Sequence, residues 1–232
     1  MTLRAVFFDA GETLVHPAPS FPELFAAIVT REGHPRETEQ IVDGLSMVSD
    51  EFARAAGENE LWTTSPDRSR RFWLRVYDLF LEALEIPGTN GLPETLYREF
   101  TNLKNYTAFD DVRPTLERLQ EREYMLGVIS NFEPWLEDLL VHLSLADLLP
   151  VRVISGIEGV EKPDPSIFLL ALERSGLAAH EVAYVGDIPD FDVVPAAALG
   201  MFPVLIDRRG RHPDHVGARV TDLAHLPELL HG

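Results

Sequence analysis

AVFFDAGETLV, residues 5–15, begins as an apolar run, stops on Asp9 and turns through Gly11 to Thr13. A short run of Val and Phe reads as a buried strand. In an open parallel sheet, ligands bind at the carboxyl ends of the strands, where the strand order reverses. An acid at that point is a candidate functional group, although a lone Asp after a strand is more often a turn residue or helix cap. A second carboxylate two residues on would complete an acid pair, but position 11 is Gly.

The strand pattern recurs. Residues 4–8 (RAVFF), 124–129 (YMLGVI), 151–154 (VRVI), 182–185 (VAYV) and 203–206 (PVLI) are predicted strands. Helical patterns separate the later ones, at 111–123, 133–143 and 164–176. In the last of these Asp164 is the expected cap, Pro165 takes the first helical position and Gly176 is the stop. Strand alternating with helix gives an α/β fold with a parallel sheet and right-handed crossovers. Residues 16–108 break the rhythm, with no convincing strand but amphipathic stretches at 22–32, 36–56, 67–85 and 93–104. The expected organisation is a core of residues 1–15 and 109–232, with an all-helical module, 16–108, inserted after the first strand. Within that module Trp62, Phe72, Trp73, Tyr77 and Phe80 read as helix core rather than a ligand patch. SPDRSRR, residues 65–71, reads as a solvated helix start rather than a phosphate site.

Charge narrows the function. Thirty-eight acids face 20 Lys and Arg, a formal net charge of −18. Such a surface repels phosphate backbones, so nucleic acid is not an expected partner, and an anionic ligand needs local positive charge or a metal. No apolar run approaches the roughly 20 residues of a membrane span, and Asp9 interrupts the only candidate for a secretory signal. The expectation is a cytoplasmic protein with no membrane partner. There is no Cys, which excludes disulfides, thiolate metal sites and Cys nucleophiles. Lys occurs only as Lys104 and Lys162, in a chain that otherwise uses Arg.

Three further stretches carry chemistry. VAYVGDIPDFD (182–192) ends a strand on Asp187, with Asp190 and Asp192 following. If the first and fourth strands are neighbours, Asp9 and Asp187 face each other. Carboxylates so placed repel unless protonated or bridged by a cation, and an oxygen-only set favours Mg2+. GVISNF (127–132) puts Ser130 and Asn131 at the end of the second strand, where a hydroxyl and free N–H groups can hold phosphate oxygens. EGVEKPDPSIF (158–168) puts Lys162, a compact positive charge suited to phosphate or carboxylate, just before a helix. Each alone has a bland counterpart in a capping acid, an ordinary cap or a surface Lys. HPDH (212–215) has metal-like spacing but lies in a Pro-containing loop and reads as surface.

Together the four stretches resemble the motifs of the haloacid dehalogenase (HAD) superfamily of hydrolases. That family's first motif is a nucleophilic Asp, any residue, usually a second Asp, then Gly-Thr; here it reads Asp9, Ala10, Gly11, Glu12, Thr13. Ser130 matches the second motif, Lys162-Pro163-Asp164-Pro165 the third, and Gly186, Asp187 and Asp192 the fourth. Order and spacing agree over nearly the whole chain. The resemblance implies a Rossmann-like parallel sheet in the order 3-2-1-4-5 with helices on both faces. It implies that the insertion is a helical cap of the C1 type. It also implies an aspartyl-phosphate on Asp9, with Ser130, Asn131 and Lys162 holding the phosphate. Mg2+ would be held by Asp9, the Gly11 carbonyl and Asp187, with Asp192 positioning its waters. The implied substrate is a small phosphorylated or anionic metabolite.

Gly11 is the departure. In phosphatases of the family the second Asp protonates the leaving group and activates water, help worth about 10²–10⁴-fold. Glu12 is one residue late, and adjacent residues of a tight loop point apart. Three alternatives stay open: a non-catalytic Mg2+- and phosphate-binding or partner-binding homologue, a dehalogenase, and a carbon–phosphorus hydrolase. Dehalogenases of the family also lack the second Asp but need no metal, whereas this chain keeps Asp187 and Asp192. Carbon–phosphorus hydrolases use a cap Lys, for which Lys104 is the sole candidate.

Overall fold

The computed structural model describes residues 2–58, 60–87 and 91–231. The chain opens with β1 (Ala5–Phe8) and a short β2 (Val15–Pro17). Four helices come next, α1 (Phe21–Arg31), α2 (Thr38–Gly57), α3 (Pro66–Ala83) and α4 (Leu92–Phe100), followed by β3 (Tyr106–Ala108). Strand and helix then alternate through α5 (Val112–Glu121), β4 (Met125–Ser130), α6 (Leu136–His142), β5 (Val151–Ile154), α7 (Ser155–Glu158) and α8 (Pro165–Ser175). The chain ends with β6 (Val182–Gly186), α9 (Val194–Ala198), β7 (Phe202–Ile206), β8 (Ala218–Val220) and α10 (Leu226–Leu229). Among the described residues no helix is long and apolar enough to cross a membrane.

Six strands form one parallel sheet in the order β5-β4-β1-β6-β7-β8. The five strands read from the sequence stand in the expected order, 3-2-1-4-5, and the α/β class holds. β8 is an added edge strand. At three residues, with one buried, it carries too little apolar pattern to announce itself. The expectation of no strand in 16–108 is corrected at its ends, where β2 and β3 pair as a separate two-stranded sheet. Both are three residues long, so pairing between distant segments defines them rather than local pattern.

β1 is buried along its whole length because it lies between two neighbours and is covered on both faces. On one face Ala5 and Phe7 join Ile129, Val182 and Tyr184 of the adjacent strands, with Ile167 and Phe168 of α8 packed over them. Each of the large aliphatic and Phe side chains among them, fully buried, contributes roughly 1.5–3 kcal/mol. The α8 boundaries follow the sequence signals. The Asp164 side chain accepts from the Ser166 N–H at 2.8 Å, Pro165 starts the helix, and Gly176 ends it at φ +67°.

The chain divides into two units, Met1–Val15 with Ala108–Gly232, and His16–Thr107. The second is built from α1–α4 around Phe25, Ile28, Ile41, Phe80, Leu81 and Leu96. Tyr77 and Phe80 belong to that core, while Trp62 and Phe72 stack at 5.3 Å and meet Phe52. Ser65 caps α3 by accepting from the Arg68 N–H, so the basic stretch is a helix start.

In the first unit Asp111, just before α5, meets Arg208, which follows β7, in a two-pronged ion pair at 2.8 and 3.0 Å. Burial would raise the Asp111 carboxyl, but Arg208 and the Leu223 N–H hold it below the ordinary carboxylate range. Removing one member of such a pair strands the other. Asp111→Asn is expected to cost about 3 kcal/mol near neutrality in urea unfolding. A depressed carboxylate contributes stability above its unfolded pKa of about 4 and loses it as pH falls through the lower folded value. The gap between wild type and variant should therefore close in acid.

Candidate active site

The motif-one loop is tight. Asp9 N donates to Val185 O at 2.8 Å, extending the β1–β6 pairing by one residue. Leu14 N and Val15 N both donate to Ala10 O, at 2.8 and 2.9 Å, and Glu12 N donates to Val15 O at 2.8 Å. Closing this turn puts Glu12 in the left-handed region, at φ 57°. Its carboxylate leaves the loop to pair with Arg209 at 2.6 Å. Gly11 has no positive φ, and a Cβ built there would meet only the Phe132 ring, at 4.0 Å. Neither backbone nor packing requires glycine at this position.

The end of β4, the turn before α8 and the turn before α9 bring the other residues to Asp9. Ser130, the last residue of β4, donates from Oγ to Asp9 Oδ1 at 3.0 Å. Lys162 Nζ donates to the same oxygen and to Asp192 Oδ1, both at 2.7 Å. Asp9, Ser130, Lys162 and Asp192 are all buried. The Lys162 backbone is pinned by Asn131, whose side chain donates to Lys162 O at 2.8 Å and accepts from Lys162 N at 2.6 Å. Asn131 thus spends its carboxamide on Lys162. Asp192 is committed too, its second oxygen accepting from Ile188 N at 2.9 Å. Gly186 makes room for it, since a Cβ there would overlap the Asp192 carboxyl group.

Asp187 lies in the same field without a partner, making no hydrogen bond or ion pair among the described residues. Burial, then Asp9 and Asp192, push its carboxyl well above the ordinary range. Burial opposes the Lys162 charge, but Asp192 and Asp9 outweigh it and hold the ammonium above the ordinary lysine range. Asp9 is itself raised by burial, against the pull of Lys162. The site thus gathers more carboxyl groups than its one ammonium can pair. Among the described residues no three His, Cys, Asp or Glu side chains converge as a metal cluster. Mg2+ needs fewer, binding through one or two carboxylates and keeping several waters. Asp9, Asp187 and the Gly11 carbonyl are a donor set of that chemistry, and the surplus of carboxylates suits a divalent cation.

Two participants are absent from the sequence reading. Tyr184, in β6, places its hydroxyl 3.1 Å from both Lys162 Nζ and Asp192 Oδ1. The one signal for it was a polar atom within an otherwise aliphatic strand. Arg209, which takes up Glu12, lies 197 residues away in sequence and gave no signal. His212–His215 is an irregular loop stretch, as read.

Comparison with known proteins places the chain in a family. A family model described as haloacid dehalogenase-like hydrolase matches residues 3–200. A glyceraldehyde 3-phosphate phosphatase of Methanopyrus kandleri is 39% identical over 225 residues, covering 91% of this chain and 87% of that protein. The human haloacid dehalogenase-like hydrolase domain-containing protein 3 is 31% identical over 216 residues, covering 89% and 82%. The fold matches the L-2-haloacid dehalogenase of Xanthobacter autotrophicus with a TM-score of 0.70 at 19% identity, over 100% of this chain and 99% of that one. With the family match running across most of its length, the chain belongs to the haloacid dehalogenase-like hydrolases.

Proposed function

We propose that the chain is a phosphate-monoester hydrolase that works through an aspartyl-phosphate on Asp9. The observation that carries this reading is the asymmetry of the Asp9 carboxylate. Oδ1 is held by Lys162 and Ser130, while Oδ2 makes no hydrogen bond among the described residues. An oriented carboxylate with one oxygen unencumbered is what nucleophilic attack requires. Oδ2 attacks phosphorus and the substrate's alkoxide or aryloxide departs. Water then attacks the acyl phosphate, releasing inorganic phosphate and restoring the carboxylate. Lys162 stabilises charge on the phosphoryl oxygens during both transfers, while Ser130 keeps Asp9 Oδ1 oriented. Asp9, Asp187 and the Gly11 carbonyl would hold Mg2+, which supplies further charge neutralisation at those oxygens. Asp192 serves as the fixed counter-ion of Lys162. Residues 16–107 act as the specificity module. The relative named for glyceraldehyde 3-phosphate supports a small phosphorylated metabolite as substrate.

No side chain at position 11 donates a proton to the leaving group, and Glu12 is occupied by Arg209. Good leaving groups should therefore be favoured. The test is hydrolysis of an aryl and an alkyl phosphate, with and without Mg2+, by wild type and by Gly11→Asp. Wild type should turn over the aryl ester with Mg2+. Gly11→Asp should raise the rate on the alkyl ester by about 10²-fold, since a new general acid is worth 10²–10⁴ where protonation limits. A wild type that binds Mg2+ but hydrolyses neither ester, with no gain in Gly11→Asp, would sink the reading and leave a binding protein.

A further inference from the structure

Among the described residues Tyr184 is the largest side chain that is fully buried. It stands in the apolar cluster with Phe7, Ile129 and Val153, and its ring meets that of Phe168 edge-on at 5.1 Å. Phe would fill the same space without burying a hydroxyl, which is unfavourable unless that hydroxyl is paired. Here it is paired, and its partners belong to the site. The hydroxyl donates to Ile129 O at 2.9 Å and accepts from Lys162 Nζ at 3.1 Å, with Asp192 Oδ1 also at 3.1 Å.

An ammonium has three N–H donors. Lys162 meets three oxygens, of Asp9 at 2.7 Å, Asp192 at 2.7 Å and Tyr184 at 3.1 Å, so every donor is taken. The three acceptors are not equivalent. Asp192 is tied to the backbone at Ile188 N and Tyr184 to the backbone at Ile129 O. Asp9 Oδ1 has a second donor in Ser130. A phosphoryl oxygen can therefore take the third Lys162 donor without leaving Asp9 Oδ1 unpaired, while the other two donors stay where they are.

We propose that Tyr184 is a positioning residue. Its hydroxyl and Asp192 form a fixed seat for the Lys162 ammonium, which directs the remaining N–H toward Asp9 and the group bonded to it. The catalytic consequence rests on the phosphatase reading; the seat itself does not.

Tyr184→Phe keeps the ring and removes the hydroxyl. With Lys104 and Lys162 the only lysines, 15N-lysine labelling yields at most two side-chain ammonium signals. In Tyr184→Phe the Lys162 signal should move and its protons should exchange with water about tenfold faster, because one N–H has lost its acceptor. Lys104 should be unaffected. An unchanged Lys162 signal overturns the proposal whether or not the chain hydrolyses phosphate. In the aryl-phosphate assay kcat should fall about tenfold with KM within about twofold, the pattern of a group that acts in the transition state. A moved Lys162 signal with unchanged kcat also overturns the proposal. Inactivity of the wild type counts against the phosphatase reading only. If Tyr184→Phe fails to fold, the Lys162 signal is followed in wild type grown on 3-fluorotyrosine. There a displaced signal supports the seat and an unmoved one refutes it.

Discussion

Asp9→Asn should abolish turnover of an aryl phosphate, lowering kcat by about 10⁴-fold or more, while the protein remains folded. Asn has nearly the shape of Asp, so Ser130 and Lys162 keep an oxygen to donate to. The negative charge and the nucleophilic oxygen are lost, and no aspartyl-phosphate can form. Steady-state kinetics with Mg2+ check the rate, and circular dichroism melting checks the fold. Residual turnover within tenfold of wild type would place the nucleophile elsewhere and remove the reason for assigning a covalent route. Trapping labelled phosphate on the wild type, but not on Asp9→Asn, gives the same answer without a steady-state rate.

Lys162→Met should be the most destabilising single change in the site. The Met side chain approximates the Lys stem, so the loss is chiefly of charge. Lys162 answers two buried carboxylates at 2.7 Å each, and its removal strands both. Breaking a buried pair in this way costs about 3–5 kcal/mol, which for a chain of this size lowers Tm by about 10 °C. The loss should depend on pH. Burial already holds the Asp9 carboxyl above its ordinary value with Lys162 present, and in the variant nothing opposes burial. An acid whose folded pKa is raised binds protons that the unfolded chain has released. Stability is then full below the unfolded value and falls as pH rises toward the folded one. Urea unfolding at about pH 5 and about pH 8 should show Lys162→Met regaining part of its deficit at the lower pH. A deficit that does not vary with pH would mean that packing, not charge, is what Lys162 contributes.

Much of the fold was legible because its signals are local. The five main strands carry buried apolar runs, and α8 carries its cap, its first-turn Pro and its terminal Gly within 13 residues. The four helices of 16–107 show amphipathic spacing, though α4 ends at Phe100 and a short turn at Leu103–Asn105 takes up the rest of the predicted stretch. What stayed hidden depends on partners far away in sequence. β2 and β3 become strands only by pairing with each other, and β8 only by lying against β7. In the site, Asp9, Ser130, Lys162 and Asp192 stood out because each follows or terminates a recognisable element. Their connections did not. That Asn131 holds the Lys162 backbone, that Asp192 is consumed by Lys162 and Ile188, and that Tyr184 completes the ammonium's partners are facts of three-dimensional register. A residue's type in sequence gives its chemical capacity, and the pairing partners decide how much of that capacity is already spent.

The loop after β7 sets a practical limit on how short this enzyme can be made. The family model closes at residue 200, yet two fastenings of the turn after Asp9 lie beyond it. Arg208 donates to Thr13 O at 2.8 Å, and Arg209 grips Glu12. Asp207 braces the loop by accepting from the backbone N–H groups of Arg211 and His212, at 2.7 and 3.0 Å. A chain trimmed to that region would keep every motif residue and lose the two arginines that fasten the turn after Asp9. The smallest piece that keeps this turn fastened is therefore larger than the region the family model marks out.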